Sequence, residues 1–256
     1  MQRLILLLPL FLFILADTGL SCEIRVQVPE DNSYAPFTVQ NTSGKWSGLS
    51  IELTEALLKE AACTPIYEPL PFARALYYLQ KGEIDMMPNM SITEERKAFV
   101  HFVGPQLDET VLLITRKDTA YQITSLDDLK KLPMAIGVER GKVYGKGFEE
   151  KRAADPVFRE KLEEVREVDS NVKKLAIGRI SGFLSYDYNN MYQIQINPLY
   201  KDFTIHPYMI HQDWVYFGFS KKSISPELYE KMQKACERAT KKGTFAAIRK
   251  RYSITP

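Results

Sequence analysis

Residues 89–96, Asn-Met-Ser-Ile-Thr-Glu-Glu-Arg, crowd an amide, two hydroxyls and an arginine into eight positions. Such groups can do one of two jobs. Ser91 with Glu94 three residues later fits a capping box, and Thr93 can serve as the cap instead. Alternatively the segment grips an anion. A helix start offers free N–H groups, the hydroxyls add donors, and the Arg96 fork can hold a carboxylate by two parallel bonds. Capping explains Ser91 and Thr93 but leaves Arg96 without a role. The other candidates for chemistry are scattered. Glu139, His101, His206 and His211 could act as acids or bases, yet no spacing singles one out. Cys236 has no paired histidine, and neither a metal-ligand cluster nor a glycine-rich phosphate loop is present. No catalytic residue and no cofactor is therefore assigned.

The elements around 89–96 alternate. Ile24, Val26 and Val28 mark one face of a strand, and a polar loop over 31–47 follows, carrying Tyr34-Ala35-Pro36-Phe37. Leu49, Leu53, Leu57 and Ala61 repeat on one face of a helix. A strand over 65–70 leads to a helix that starts at Pro71 and stops at Gly82. A short strand over 84–87 then delivers Asn89. Strand, helix, strand, helix, strand predicts a parallel sheet with crossovers, and such sheets bind ligands where a strand's carboxyl end meets a helix start. A β-rich run over 110–116 precedes a second alternating block. It has a short helix capped by Ser125, a strand over 134–138, and a helix from Gly141 to about Arg152. A helix capped by Ser170 and a strand over 182–185 follow, with β candidates at 204–206 and 215–219. A terminal helix from Ser225-Pro226 breaks at Gly243 and resumes to Tyr252. Two α/β blocks joined by extended strands predict two lobes with a cleft between them.

The first residues read as an export signal. Arg3 precedes an apolar run from Leu4 to Leu15, and small residues stand at Gly19 and Ser21. The run falls short of the roughly 20 residues that span a bilayer. Cleavage after Ser21 would leave Cys22 first. Cys22 can be lipidated, although Gly19 stands where a lipoprotein signal has leucine, or it can pair with Cys63 in an oxidising compartment. Cys236 is left over. Lys+Arg number 34 against 32 Asp+Glu, a balance that argues against a nucleic-acid partner.

In this order the motifs resemble those of the extracytoplasmic solute-binding proteins of the polar amino-acid type, the two-lobed receptors of ABC importers. The likeness spans the mature chain. It rests on Tyr34-Ala35-Pro36-Phe37, Gly48 to Leu53, Phe72 to Leu76, Gly82 to Asp85, Met90 to Arg96, the segment from Phe99 to Pro105, Gly178-Arg179-Ile180 and Gly243-Thr244-Phe245. The resemblance implies a periplasmic-binding-protein-like α/β fold: a mixed sheet in each lobe, helices on both faces, and a hinge of crossing strands. Lobe one would comprise 22–112 and 213–256, and lobe two 113–212. It also implies that Ser91 and Arg96 bind a ligand α-carboxylate, that Tyr34 and Phe72 stack on the ligand, and that Asn89 contacts it. Arg74, farther along the Phe72 helix, reaches the cleft or sits on a solvated face.

The second lobe departs from the family pattern. Gly141-Lys142-Val143-Tyr144 stands where hydroxyl residues are usual, which puts Lys142 and Tyr144 at the ligand site. Ser181 replaces an expected aspartate, and Tyr186 falls at the ammonium-binding position. Asp187 is one residue late, and in a strand a one-residue shift reverses the facing. The implied function is extracytoplasmic capture of an amino acid or related carboxylate for an ABC permease, by a monomeric periplasmic protein. A sensor acting on a membrane partner and a dehydratase-like enzyme on the same fold are the alternatives.

Overall fold

The computed structural model describes residues 22–32 and 34–252. The export segment expected at 1–21 lies outside them. The first half of the chain follows the expected alternation: β1 Glu23–Val28, β2 Val39–Gln40, β3 Trp46–Ser47, α1 Leu49–Glu60, β4 Thr64–Pro69, α2 Phe72–Lys81, β5 Met86–Met90, α3 Glu94–Lys97 and β6 Val100–Arg116. A 3-10 turn at Leu126–Lys131 leads to β7 Ile136–Glu139, α4 Lys146–Ala154, α5 Pro156–Glu160, β8 Leu162–Val165, α6 Val168–Ala176, β9 Gly182–Tyr186 and α7 Asp187–Ile196. The chain returns through β10 Phe203–Ser220 and closes with α8 Pro226–Lys241 and α9 Thr244–Tyr252.

Eight strands run in the order β4-β1-β5-β10-β6-β9-β7-β8. β1 pairs in parallel with β4 and β5, and β7 pairs in parallel with β8 and β9. Between these blocks stand β6 and β10, antiparallel to each other and to their outer neighbours. The two lobes therefore share their central strands. The expected β runs at 110–116, 204–206 and 215–219 are parts of these two strands, of 17 and 18 residues. Their pairing is interrupted by register shifts between Ile205 and Met209, Met209 and His211, and Val215 and Phe217.

Several local expectations are corrected. Asn89 lies inside β5 instead of following it. Thr93, not Ser91, caps α3, accepting from the Arg96 N–H at 3.1 Å. α6 begins at Val168 behind Glu167, so Ser170 is inside the helix. α5, β8 and α7 were not anticipated: β8 is a short acidic strand, and α7, Asp-Tyr-Asn-Asn-Met-Tyr-Gln-Ile-Gln-Ile, has no apolar stripe to signal it.

One local tie matters for the site. The N–H groups of Leu49 and Ser50 at the start of α1 donate to the carbonyls of Pro36 and Phe37, at 2.9 Å each. Gly48 makes this approach, with φ +114; a Cβ there would stand 2.6 Å from both carbonyls. The loop bearing Tyr34 is thus held by the helix that follows it. Cys22 and Cys63 form a disulfide that ties β1 to the end of α1. The same sulfur cannot also carry a lipid thioether, so lipidation of Cys22 is excluded in this form. Cys236 is free and buried. Among the described residues, no helix is long and apolar enough to cross a membrane.

Candidate functional site

Arg96 sits in a one-turn helix of four residues and is 4% exposed. So short a helix adds little dipole, which leaves the guanidinium as the feature of interest. One terminal nitrogen donates to the Ser91 carbonyl at 3.0 Å and the other to the Gly141 carbonyl at 2.9 Å, across the cleft. The group lies over the Phe72 ring, 5.6 Å from its centroid. Among the described residues no carboxylate comes within 4 Å of it, and burial pulls its pKa down. A buried guanidinium satisfied only by neutral carbonyls is a place where an anion gains affinity.

Lys142 follows Gly141 on the turn after β7. Its ammonium nitrogen stands 4.0 Å from the centroid of Phe72, 4.8 Å from Tyr34 and 5.4 Å from Tyr186. Gly141, with φ +81, lies against α2; a Cβ there would be 3.4 Å from the Ala73 Cα. The Tyr34 hydroxyl donates to a Glu139 carboxylate oxygen. The Asn189 side-chain amide donates to the Ala35 carbonyl at 2.7 Å, and Arg166 pairs with Glu30. These contacts join the two lobes, and the cleft is closed.

Closure leaves a cavity of about 40 Å³ lined by Tyr34, Phe72, Asn89, Glu139, Lys142 and Glu167. Solute pockets begin near 300 Å³, so entry of a solute requires the lobes to part or Lys142 to move. A second cavity, about 410 Å³, takes its lining from the other side of the same segments: Ser91, Thr93, Val143, Gly145, Glu149 and His211.

Three carboxyl groups lie within electrostatic reach of Lys142. Burial pushes Glu109 up to about 8, with Lys142 and Arg96 opposing the shift and Asp187 adding to it. Glu139 is pushed up to about 7 by burial against the pull of Lys142, and one of its oxygens is buried without a hydrogen-bond partner. Glu167 is raised to about 7 by burial and by the charges of Asp31 and Glu30. All three hold protons more tightly than free carboxyls do, which leaves the site richer in positive charge than the residue count suggests.

The sequence-derived candidates divide. Tyr34, Phe72, Arg96, Lys142 and Tyr186 converge on one place. Asn89 lines the cavity, but its side chain is largely spent. It donates to Ser50 at 2.8 Å and accepts from Gln106 at 2.7 Å, which holds the strand in a left-handed conformation at φ 55. Asparagine tolerates that conformation better than most residues. Ser91 offers its carbonyl to Arg96 and faces the larger cavity. Arg74 is exposed, two residues and about 200° around α2 from Phe72, so it lies on the solvated face.

Tyr144 lines neither cavity. It is 1% exposed, its ring packs edge-on to Phe148 at 5.5 Å, and its hydroxyl accepts from the Glu139 N–H at 2.7 Å. The strand-facing argument against Asp187 also lapses, because α7 starts at Asp187 and strand alternation ends at Tyr186. Asp187 is near enough to Glu109 to raise its pKa. Glu109 and Glu167, both within electrostatic reach of Lys142, are not among the sequence-derived candidates. Glu109 had a signal: it shares a strand face with Leu107, Val111 and Leu113, a carboxylate in an apolar register.

Comparison with known proteins places this geometry among relatives. The family model of bacterial extracellular solute-binding proteins, family 3, matches residues 26–255. The chain is 27% identical to the probable amino-acid-binding protein YxeM of Bacillus subtilis over 85% of its length and 79% of that protein. It is 24% identical to the histidine-binding periplasmic protein of Escherichia coli over 98% of its length and 97% of that protein. Among solved structures, an ancestral arginine-binding protein bound to arginine superposes with a TM-score of 0.75 at 25% identity, covering 90% of this chain and 97% of that one.

Proposed function

The chain belongs to the bacterial extracellular solute-binding proteins, family 3, and on that premise we propose that it captures a small carboxylate, of the amino-acid class, in the interlobe cleft and presents it to an ABC permease. The observation that carries this reading is Arg96: a buried guanidinium in the cleft, stacked on Phe72, with carbonyls and no described carboxylate as its partners. Tyr34, Phe72 and Tyr186 supply the aromatic walls. The lobes open about the shared strands, with boundaries near 112/113 and 212/213, and close over the solute as water leaves. Closure strengthens the carboxylate–guanidinium pair because the local dielectric falls. The protein works outside the cytoplasm as a monomer, in the periplasm.

The test is a thermal-shift panel of amino acids, polyamines and amino-group-free carboxylates on ligand-stripped protein. A solute at about 100 times its Kd adds roughly 2.7 kcal/mol. Arg96→Ala should abolish the shift, since truncating a buried charged partner costs about 3 kcal/mol or more, roughly a hundredfold in Kd. An unchanged Kd in Arg96→Ala would remove Arg96 from the site. Glu139 supports a second reading, a dehydratase-like enzyme: its carboxyl lines the cavity and is raised to about 7, where a general acid works at neutral pH. Mass spectrometry of the released ligand separates the two, because a binding protein returns it unchanged.

A further inference from the structure

Cations within about 6 Å of an aromatic centroid are attracted by the ring face, most strongly when desolvated. Phe72, Tyr34 and Tyr186 satisfy that distance for a single ammonium group, and the group is the chain's own Lys142. The three rings come from α2, the loop before α1 and the end of β9, so closure of the two lobes is what assembles the cage. The arrangement is held from behind: Tyr34 donates to Glu139, and the Gly141 turn presses on α2 at Ala73. Among the described residues no carboxylate stands within 4 Å of the Lys142 ammonium, so the ring faces are its close partners, while Glu109, Glu139 and Glu167 feel its charge at longer range. Arg96 shares the Phe72 ring with it, which brings two cations to one ring.

We propose that Lys142 is a resident cation of the aromatic cage, and that it makes the cleft selective for carboxylates with a neutral or acidic remainder, against solutes with a cationic side chain. The proposal deepens the carboxylate reading given above and rests on it for the ligand. A cationic side chain entering the cage would have to displace Lys142 or stand beside it, and in a closed, low-dielectric cleft either is unfavourable. A carboxylate or amide remainder gains from the same ammonium. Lys142 is thus a specificity-determining residue.

The experiment compares wild type, Lys142→Ala and Arg96→Ala, each ligand-stripped, by calorimetry with L-glutamate, L-glutamine and L-arginine as probes. Wild type should prefer glutamate or glutamine to arginine. Lys142→Ala should reverse the order, gaining arginine affinity by about tenfold or more, the scale of a desolvated cation–π contact. A second readout does not depend on the carboxylate. Lys142→Ala removes the equivalent of a propylammonium ion, so n-propylammonium should raise the melting temperature of that variant and leave wild type unmoved. Rescue by n-propylammonium together with arginine affinity that is equal in wild type and Lys142→Ala overturns the selectivity claim. Absence of rescue overturns the resident cation. If rescue occurs while Arg96→Ala binds glutamate as well as wild type does, the cage assignment stands and the carboxylate reading falls. Lys142→Ser replaces the alanine variant if that protein fails to fold, with the same expected outcomes.

Discussion

Replacing Glu109 with glutamine should make the fall of stability with rising pH markedly shallower. Glu109 is 7% exposed in the middle of β6, opposite Asp213 of β10, and burial pushes its carboxyl to about 8 against an ordinary value of 4.5. Lys142 and Arg96 act against that shift and Asp187 adds to it. In the unfolded chain the carboxyl loses its proton near its ordinary value, whereas the folded protein keeps it to about 8. The fold therefore binds more protons throughout this window, and stability is lost as pH rises through it. Each unit is worth about 1.36 kcal/mol, so the group accounts for on the order of 4 kcal/mol between pH 4.5 and pH 8. For a chain of this size that is on the order of 10 °C in melting temperature. Glutamine copies the shape of the protonated acid and cannot ionise. The assay is thermal unfolding by near-UV circular dichroism of ligand-free protein at pH 5 to 9, for wild type and Glu109→Gln. Wild type should fall more steeply than the variant, which keeps the losses from Glu139 and Glu167, and the two should agree at the acid end. Parallel curves, or a wild type that gains stability from pH 6 to 9, would refute the reasoning.

Other expectations concern residues outside the cage. The Cys22–Cys63 bridge closes a sequence separation of 41 residues. Removing it with the double Cys→Ser variant should cost about 4 kcal/mol in urea unfolding on the chain-entropy account, and a change within experimental error would show that the bridge constrains nothing. Tyr144→Phe should lower stability by about 1–3 kcal/mol, because the buried Glu139 N–H loses its acceptor. Its solute affinity should match wild type in the same calorimetry; a large loss of affinity would return Tyr144 to the ligand set.

Much of the fold was legible because its signals are local. The period-two pattern of Ile24, Val26 and Val28, the four-residue repeat from Leu49 to Ala61, and the Pro71 and Gly82 boundaries of α2 each depend on a few neighbouring residues. The elements that escaped, α5, β8 and α7, carry no such periodicity and owe their form to the sheet and helices around them. The choice between Ser91 and Thr93 as a cap was likewise open in sequence. Once β5 runs on through Met90, the helix start moves to Thr93.

At the site, residue type and order were enough to nominate Tyr34, Phe72, Arg96, Lys142 and Tyr186, and the pairing of Cys22 with Cys63. They were not enough to say what each does. Tyr144 and Lys142 are two residues apart on one turn, yet one is sealed in the core and the other reaches the cage, because only the packed lobe decides which side of the turn is inside. The raised carboxyl of Glu109 and the lysine held among three rings are likewise products of closure. Their energies depend on desolvation and on groups distant in sequence, and a local pattern carries neither. Which residues form the elements is written in short-range periodicity; which charges face one another in a dry cleft is decided by the tertiary fold.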